Sequence, residues 1–155
     1  EPEVVKELFE SMGIGDNTNS GDYDIFLVKY NSSGTKQWLR QLGTSSEDRG
    51  NSVSSDSSGN VYVTGYTHGG LDGNTNKGYD DVFLVKYNSS GSKQWTKQVG
   101  STTGNHLGDY GKGVTVDSSN NVYIAGETLG GFDENTNAGS SDMFLLKFNS
   151  DGVKQ

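Results

Sequence analysis

Residues 25–38 read IFLVKYNSSGTKQW, and residues 82–95 read VFLVKYNSSGSKQW, identical at 12 of 14 positions. Residues 143–155 return as MFLLKFNSDGVKQ, identical to the second copy at 8 of 13. The copies start 57 and 61 residues apart, and other blocks keep the same period. Asn60-Val61-Tyr62-Val63-Thr64-Gly65 recurs 61 residues later as Asn121-Val122-Tyr123-Ile124-Ala125-Gly126, and Asn17-Thr18-Asn19 recurs at Asn74 and at Asn135. The four extra residues of the longer spacing fall near 103–107, in a loop. A fixed period of this length marks a chain of stacked supersecondary units, in which each unit buries its apolar face against its neighbours.

Inside one unit the apolar runs have strand length and end in turn residues, which divides it into four strand positions, A to D. Position A is 113–116 (GVTV) or 52–55, short and rich in small residues, which suits a crowded place. Position B is 61–65 or 122–126, alternating Val or Ile with Tyr. Position C is 25–30, 82–87 or 143–148, apolar at nearly every residue, which predicts burial on both faces. On that reading Phe26, Val28, Phe83, Val85, Phe144 and Leu146 are buried. Position D is 36–42 or 93–99, where Trp38 and Trp95 share a face with Lys and Arg, and lysines there protect a sheet edge from stray pairing.

The turns agree. Asp56-Ser57-Ser58-Gly59-Asn60 joins A to B and is replaced by Asp117-Ser118-Ser119-Asn120-Asn121 in the next unit, Asn being the best substitute for Gly at positive φ. Asn31-Ser32-Ser33-Gly34, Asn88-Ser89-Ser90-Gly91 and Asn149-Ser150-Asp151-Gly152 close C–D hairpins. The fold class is therefore all-β: β-propeller blades, each a four-stranded antiparallel meander, with A innermost and D outermost. A solenoid of β-coils is the alternative, with repeats that are usually shorter. The chain holds about two and a half units: C and D of the first, A to D of the second, and A, B and C of the third, breaking off at Val153-Lys154-Gln155 as D begins. Residues 14–155 form the repeat domain, expected to be part of a larger propeller or assembly. Residues 1–13 admit two readings. Val4, Val5, Leu8, Phe9 and Met12 follow helical spacing, while the repeat register lays Val4-Val5-Lys6 over Val61-Tyr62-Val63 as a diverged strand B; periodicity favours a short helix.

Composition narrows the function. Of 155 residues 30% are hydrophobic, Gly numbers 23 and Pro 1, a balance for many strands and tight turns around a thin, distributed core. The net charge of −8 opposes binding to phosphate backbones and anionic lipids, so neither nucleic acid nor membrane insertion is expected. Glu1-Pro2-Glu3 lacks the basic start of a secretion signal. With 0 Cys, disulfides, Cys-ligated metals and thiol catalysis are excluded within the sequence.

The units containing NVYVTGYT, GNTNKG, DVFLVKYNSSGSKQW and GVTVDSSNNVY resemble the bacterial seven-bladed β-propeller (SBBP) repeat family over about residues 14–155. The resemblance implies a blade-forming repeat of secreted or surface-exposed bacterial proteins, in large multidomain chains. It carries no catalytic residue onto this sequence.

The B–C loops are the best candidate site. Asp72, Asn74, Asn76 and Asp81 in one copy, and Asp133, Asn135, Asn137 and Asp142 in the next, place oxygen side chains at alternate positions and end in carboxylates. That pattern suits Ca²⁺, a hard cation wanting six to eight oxygens. The bland reading is that Asn and Asp build the turns through bonds to the main chain. Trp38 and Trp95 invite glycan stacking, against the stronger reading that rings at a repeated position pack blade on blade. His68 and His106 lie in non-equivalent loops and make a poor metal pair. Asn31 and Asn88 fit the glycosylation sequon but are better explained as the hairpin turns. The expected function is a non-enzymatic scaffold or protein-interaction module of the cell surface or extracellular space, binding other protein chains or further blades. A Ca²⁺-dependent, carbohydrate-binding module is the alternative. A hydrolase is weaker, requiring a residue set that breaks the repeat, with 103–109 as its only host.

Overall fold

The computed structural model describes residues 19–101, 108–132 and 135–155. Both readings of residues 1–13, and the loop near 103–107, lie outside the described residues.

Three antiparallel sheets follow one another along the chain. The first pairs β1 (Ile25–Tyr30) with β2 (Lys36–Leu42). The second is a meander of β3 (Asp48–Ser55), β4 (Val61–Thr67), β5 (Asp81–Tyr87) and β6 (Lys93–Val99). The third orders β7 (Asp109–Val116), β8 (Val122–Thr128) and β9 (Asp142–Phe148), and a bridge between Phe148 and Lys154 starts its D position. These are blades with positions C–D, A–D and A–C. Position A is longer than its apolar run suggests. Both A strands carry an irregularity, between Gly50 and Ser52 and between Gly111 and Gly113, that lets the polar stretches Asp48–Gly50 and Asp109–Gly111 continue the pairing. The A strands touch: Asn51 Nδ2 donates to Gly111 O at 2.8 Å, and Val114 N to Ser52 Oγ at 3.2 Å. Small side chains at A permit that approach.

The turn chemistry is as the residues require. Gly59 has φ +77° and its replacement Asn120 has φ +62°. Asp56 accepts from Ser58 N, from Asn60 N and Nδ2, and from the Tyr62 hydroxyl, and Asp117 repeats the set with Ser119, Asn121 and Tyr123. Burial opposes ionisation of Asp56, but these donors hold its carboxyl below the usual range. Gly59→Asn is therefore expected to change stability by less than about 1 kcal/mol, whereas Gly59→Val should cost roughly 1–2 kcal/mol through the left-handed backbone. Urea melts of the two variants check this.

The core is split between the blades. On β5, Phe83, Val85 and Tyr87 point to one side with Val61 and Val63, against Ile25, Leu27, Trp38 and Leu42 of the first blade. Val82 and Leu84 point to the other side with Tyr62 and Trp95, against Val122, Ile124, Phe132, Phe144, Leu146 and Phe148 of the third blade. β5 is thus buried on both faces, as its continuous apolar run predicts. The same expectation fails for Phe26, which is 70% exposed, while Val28 and Phe144 are half-buried. For Phe26 and Val28 the reason is the one-sided position of the first blade, whereas Phe144 lies on the covered face of the third. In β1 the face of Ile25 and Leu27 meets a neighbour, and the face of Phe26, Val28 and Tyr30 meets none among the described residues.

Candidate functional site

At one end of each blade a row of side chains crosses the sheet. Asp48, Thr67 and Asp81 are paired in register at the starts of β3 and β5 and the end of β4, and Asp109, Thr128 and Asp142 repeat the row. Asp48, Asp81 and Asp109 are fully buried. Asp81 Oδ2 accepts from Lys77 N and Gln98 Nε2, both at 2.9 Å, as Asp24 Oδ2 accepts from Ser20 N at 2.8 Å and Gln41 Nε2 at 2.9 Å. Asp142 Oδ2 accepts from Ala138 N at 2.6 Å. Asp48 accepts from Thr44 N and Oγ1 and from Thr67 Oγ1, and Asp109 from Ser101 N. Each carboxylate thus closes the loop that leads into its strand. A Cβ on Gly100 would lie 1.8 Å from Asp81 Oδ1, so that glycine is required by the aspartate beneath it.

The predicted ligands of the B–C loop are distributed along this frame rather than gathered at one point. Asp72, in a single 3-10 turn (Leu71–Gly73), binds Lys93 Nζ and Thr96 Oγ1 on β6. Thr96 pairs with Val85, four residues along β5 from Asp81. Asn74 Nδ2 donates to Leu71 O at 2.7 Å, Asn76 Nδ2 to His68 O at 2.7 Å, and Asn135 Nδ2 to Phe132 O at 3.4 Å. Asn137 Oδ1 accepts from Gly139 N at 2.8 Å. Asp133 lies outside the described residues. Among the described residues no three His, Asp or Glu side chains converge as metal ligands. Two oxygens of the loop, Asn76 Oδ1 and Asp81 Oδ1, are nonetheless buried without a partner.

Burial pushes the Asp81 carboxyl above its usual range, against the bonds from Gln98 and Lys77, and nearby Asp109 adds to the rise. A carboxyl raised on folding takes up its proton first in the folded state. Its contribution is complete below the unfolded value of about 3.9 and is lost as pH rises through the folded value. Asp81→Asn should accordingly flatten the dependence of melting temperature on pH from about 4 upward, and calorimetric scans across that range check it.

A second polar group was not anticipated, because its members do not repeat. His68 Nε2 lies 2.6 Å from Asp80 Oδ1, and Asp80 is buried. The Tyr110 hydroxyl donates to Asp80, and Tyr66 donates to Glu47 at 2.8 Å. The Tyr66 and Tyr110 rings meet edge to face at 5.1 Å. Burial raises the Asp80 carboxyl, while Tyr110 and His68 counter it. The group ties the second blade to the third, since Asp109 N also donates to Asp80 O at 2.8 Å. It places an imidazole beside a buried carboxyl. The missed signal was the dipeptide Asp80-Asp81: only Asp81 has a counterpart, Asp142, while Asp80 aligns with Ser141.

The tryptophans serve the blade junctions. Trp38 is buried and donates from Nε1 to Ser89 O at 3.1 Å, and Trp95 is half-buried against the third blade. Among the exposed large apolar side chains, Phe26 and Tyr30 lie on β1 and Met143 and Leu145 on β9, the outer faces of the first and third blades, while Tyr23, Val53, Tyr79 and Val153 are exposed elsewhere.

Comparison with known proteins agrees with this architecture. The β-propeller repeat family SBBP matches residues 37–72 and 94–133. An uncharacterized WD repeat-containing protein of Acanthamoeba polyphaga mimivirus is 30% identical over 92% of this chain and 11% of its own length. The regulatory protein FlaEY of Caulobacter vibrioides is 29% identical over 87% of this chain and 15% of its own. The chain therefore spans only a small part of the length of these curated relatives. Both matched segments run from position D through A and B of the next unit. Two segments of the chain, one across each blade junction, thus match the SBBP β-propeller repeat.

Proposed function

We propose that this chain is a non-enzymatic protein-interaction scaffold whose binding surfaces are its two outer blade faces. The observation that carries the reading is the exposure of Phe26, Tyr30, Met143 and Leu145 at positions whose counterparts in the second blade are buried. Exposed apolar side chains grouped on one face mark candidate interaction sites. The repeated polar residues are meanwhile committed to loops and turns. The extracellular or cell-surface setting implied by the family resemblance belongs to this proposal, and protease shaving of intact source cells tests it. Photo-crosslinking from position 30 or 145, with position 57 in an A–B turn as control, tests the scaffold itself. Protein adducts from the two faces and none from the turn are expected. Adducts confined to the turn, or none from either face, would overturn the reading.

A second reading, Ca²⁺ at the B–C loop, is favoured by the two partnerless oxygens of Asn76 and Asp81. Ca²⁺ at a hundredfold excess over its Kd would raise stability by about 2.7 kcal/mol. A calorimetric melt that is the same in Ca²⁺ and in chelator removes this reading, and with it the Ca²⁺-dependent glycan-binding alternative. The scaffold reading is untouched by that outcome.

A further inference from the structure

We propose that the groove at the second blade junction binds a carboxylate, presented by an acidic side chain of a partner protein and held by Lys77, Lys97 and the Ser101 hydroxyl. The inference takes from the scaffold reading only that the ligand is a protein segment, and the groove is separate from the outer faces. It is a cavity of about 530 Å³ where β6 meets the loop and hairpin of the third blade, a size usual for ligand pockets. Lys77, Lys97 and Lys154 line it, and among the described residues its lining holds no Asp or Glu. Cations gathered around one groove reverse locally the sign of a chain whose net charge is −8.

The three binding residues are places where the second junction departs from the first. Lys77 stands where the other copies of its loop have Ser20 and Ala138. Lys97 replaces Arg40, whose Nε donates to Gly91 O at 2.6 Å across the first junction. The counterpart of Gly91 is Gly152, and the Lys97 stem lies against it, since a Cβ there would meet Lys97 Cε at 2.7 Å. Neither Lys77 Nζ nor Lys97 Nζ makes an ion pair or hydrogen bond among the described residues. Ser101 replaces Thr44, whose Oγ1 donates to Asp48 Oδ2 at 2.9 Å. Ser101 is buried, it lines the groove, and its Oγ has no partner. A buried hydroxyl left unsatisfied costs stability unless something binds it, and the ligand supplies the acceptor.

The same residues select the anion. One carboxylate has about four lone-pair sites, enough for two ammonium groups and a hydroxyl. Asp81 and Asp109 adjoin the groove without lining it: Asp81 Oδ2 accepts from Lys77 N and Gln98 Nε2, and Asp109 Oδ2 from Ser101 N. Their charges repel a doubly charged phosphate more strongly than a singly charged carboxylate.

Fluorescence anisotropy of a labelled tetraglutamate peptide at low salt tests this, with the tetraglutamine peptide as the uncharged control. Saturable binding of the first and none of the second is expected, and added salt should weaken it. Lys97→Met, at a half-buried position, should weaken binding about tenfold, and Lys77→Ser about threefold because Lys77 is exposed. Ser101→Ala should weaken it about fivefold and leave the melting temperature unchanged, since the hydroxyl it removes has no partner in the free protein. A chain that binds neither peptide, that binds both alike, or whose three variants bind like the wild type would overturn the proposal. Tighter binding of a tetraphosphoserine peptide would overturn the choice of carboxylate, and glutarate that binds as tightly as the peptide would overturn the protein source. If tetraglutamate binds while positions 30 and 145 crosslink to nothing, the outer-face reading fails and this site stands; if they crosslink to a protein while no peptide binds, the site fails and that reading stands.

Discussion

Phe83→Ala is expected to destabilise the protein by about 3–5 kcal/mol, the usual cost of removing a buried aromatic ring. Phe26→Ala, at the equivalent position of the first blade, should change monomer stability by less than about 0.5 kcal/mol, as for a surface site. Phe83 is completely buried between blades and Phe26 is 70% exposed, although the surrounding peptide is almost the same. The difference lies wholly in whether a blade covers the ring. The Phe83 ring also limits its own strand pair, because a Cβ on Gly65 would lie 3.0 Å from its Cε1, so a smaller side chain leaves a cavity that β4 cannot easily fill. Urea melts of both variants at concentrations where the chain is monomeric provide the comparison. Equal losses would show that the two rings share one environment and that the blade order is wrong.

Trp38→Ala carries the second large effect, also about 3–5 kcal/mol. The indole packs against the second blade, with its ring 6.3 Å from that of Tyr87, and its Nε1 donates to Ser89 O at 3.1 Å. Lys29 and Arg40 stand 5.9 Å and 5.8 Å from its ring, and Arg40 Nε donates to Gly91 O at 2.6 Å. Truncation removes the surface on which both cations lie. In a stacked array the loss falls on the nearest-neighbour interface, so β1 and β2 should detach before the second blade unfolds. Trp38→Phe retains much of the packing and should lose roughly 0.5–1.5 kcal/mol with the hydrogen bond. The chain has 2 tryptophans, so in Trp38→Ala the remaining Trp95 reports on the other junction alone. An early circular-dichroism transition that leaves Trp95 fluorescence unchanged is the expected result. A single transition shared by both signals would contradict it.

Much of this architecture was legible because repetition supplies its own control. Positions C and D were read to within a residue, since the unbroken apolar run of β5 and the Trp-bearing run of β6 end abruptly at Asn88 and Gly100. Gly59 and Asn120 announced a left-handed turn by replacing each other. Burial in β1 and β9 was not legible, because a sequence shows which side chains are apolar and not which blade lies opposite them. The polar ends of the A strands were missed for a related reason: Asp48 and Asp109 resemble loop residues, yet they are buried and bonded to main-chain N–H groups. In the B–C loop the oxygen-bearing residues were visible, but their targets were not. Alternation suggested one shared ligand, whereas Asp72 turns to β6 and the asparagines turn to the main chain. Leu71 and Phe132, buried in the same loops, had a signal that was passed over: Gly-Gly-Leu-Asp and Gly-Gly-Phe-Asp keep one apolar residue in an otherwise polar segment.

The occupancy of blade faces is tested most directly by native-state amide hydrogen exchange at low concentration, where the chain is monomeric. Amides paired between β4 and β5, covered on both sides, should exchange only through global unfolding, whereas those paired between β1 and β2 and between β8 and β9 should open more easily. Equal protection across all three sheets, or greatest protection in β1, would contradict a stack in which, among the described residues, the middle blade has both faces covered and each outer blade one.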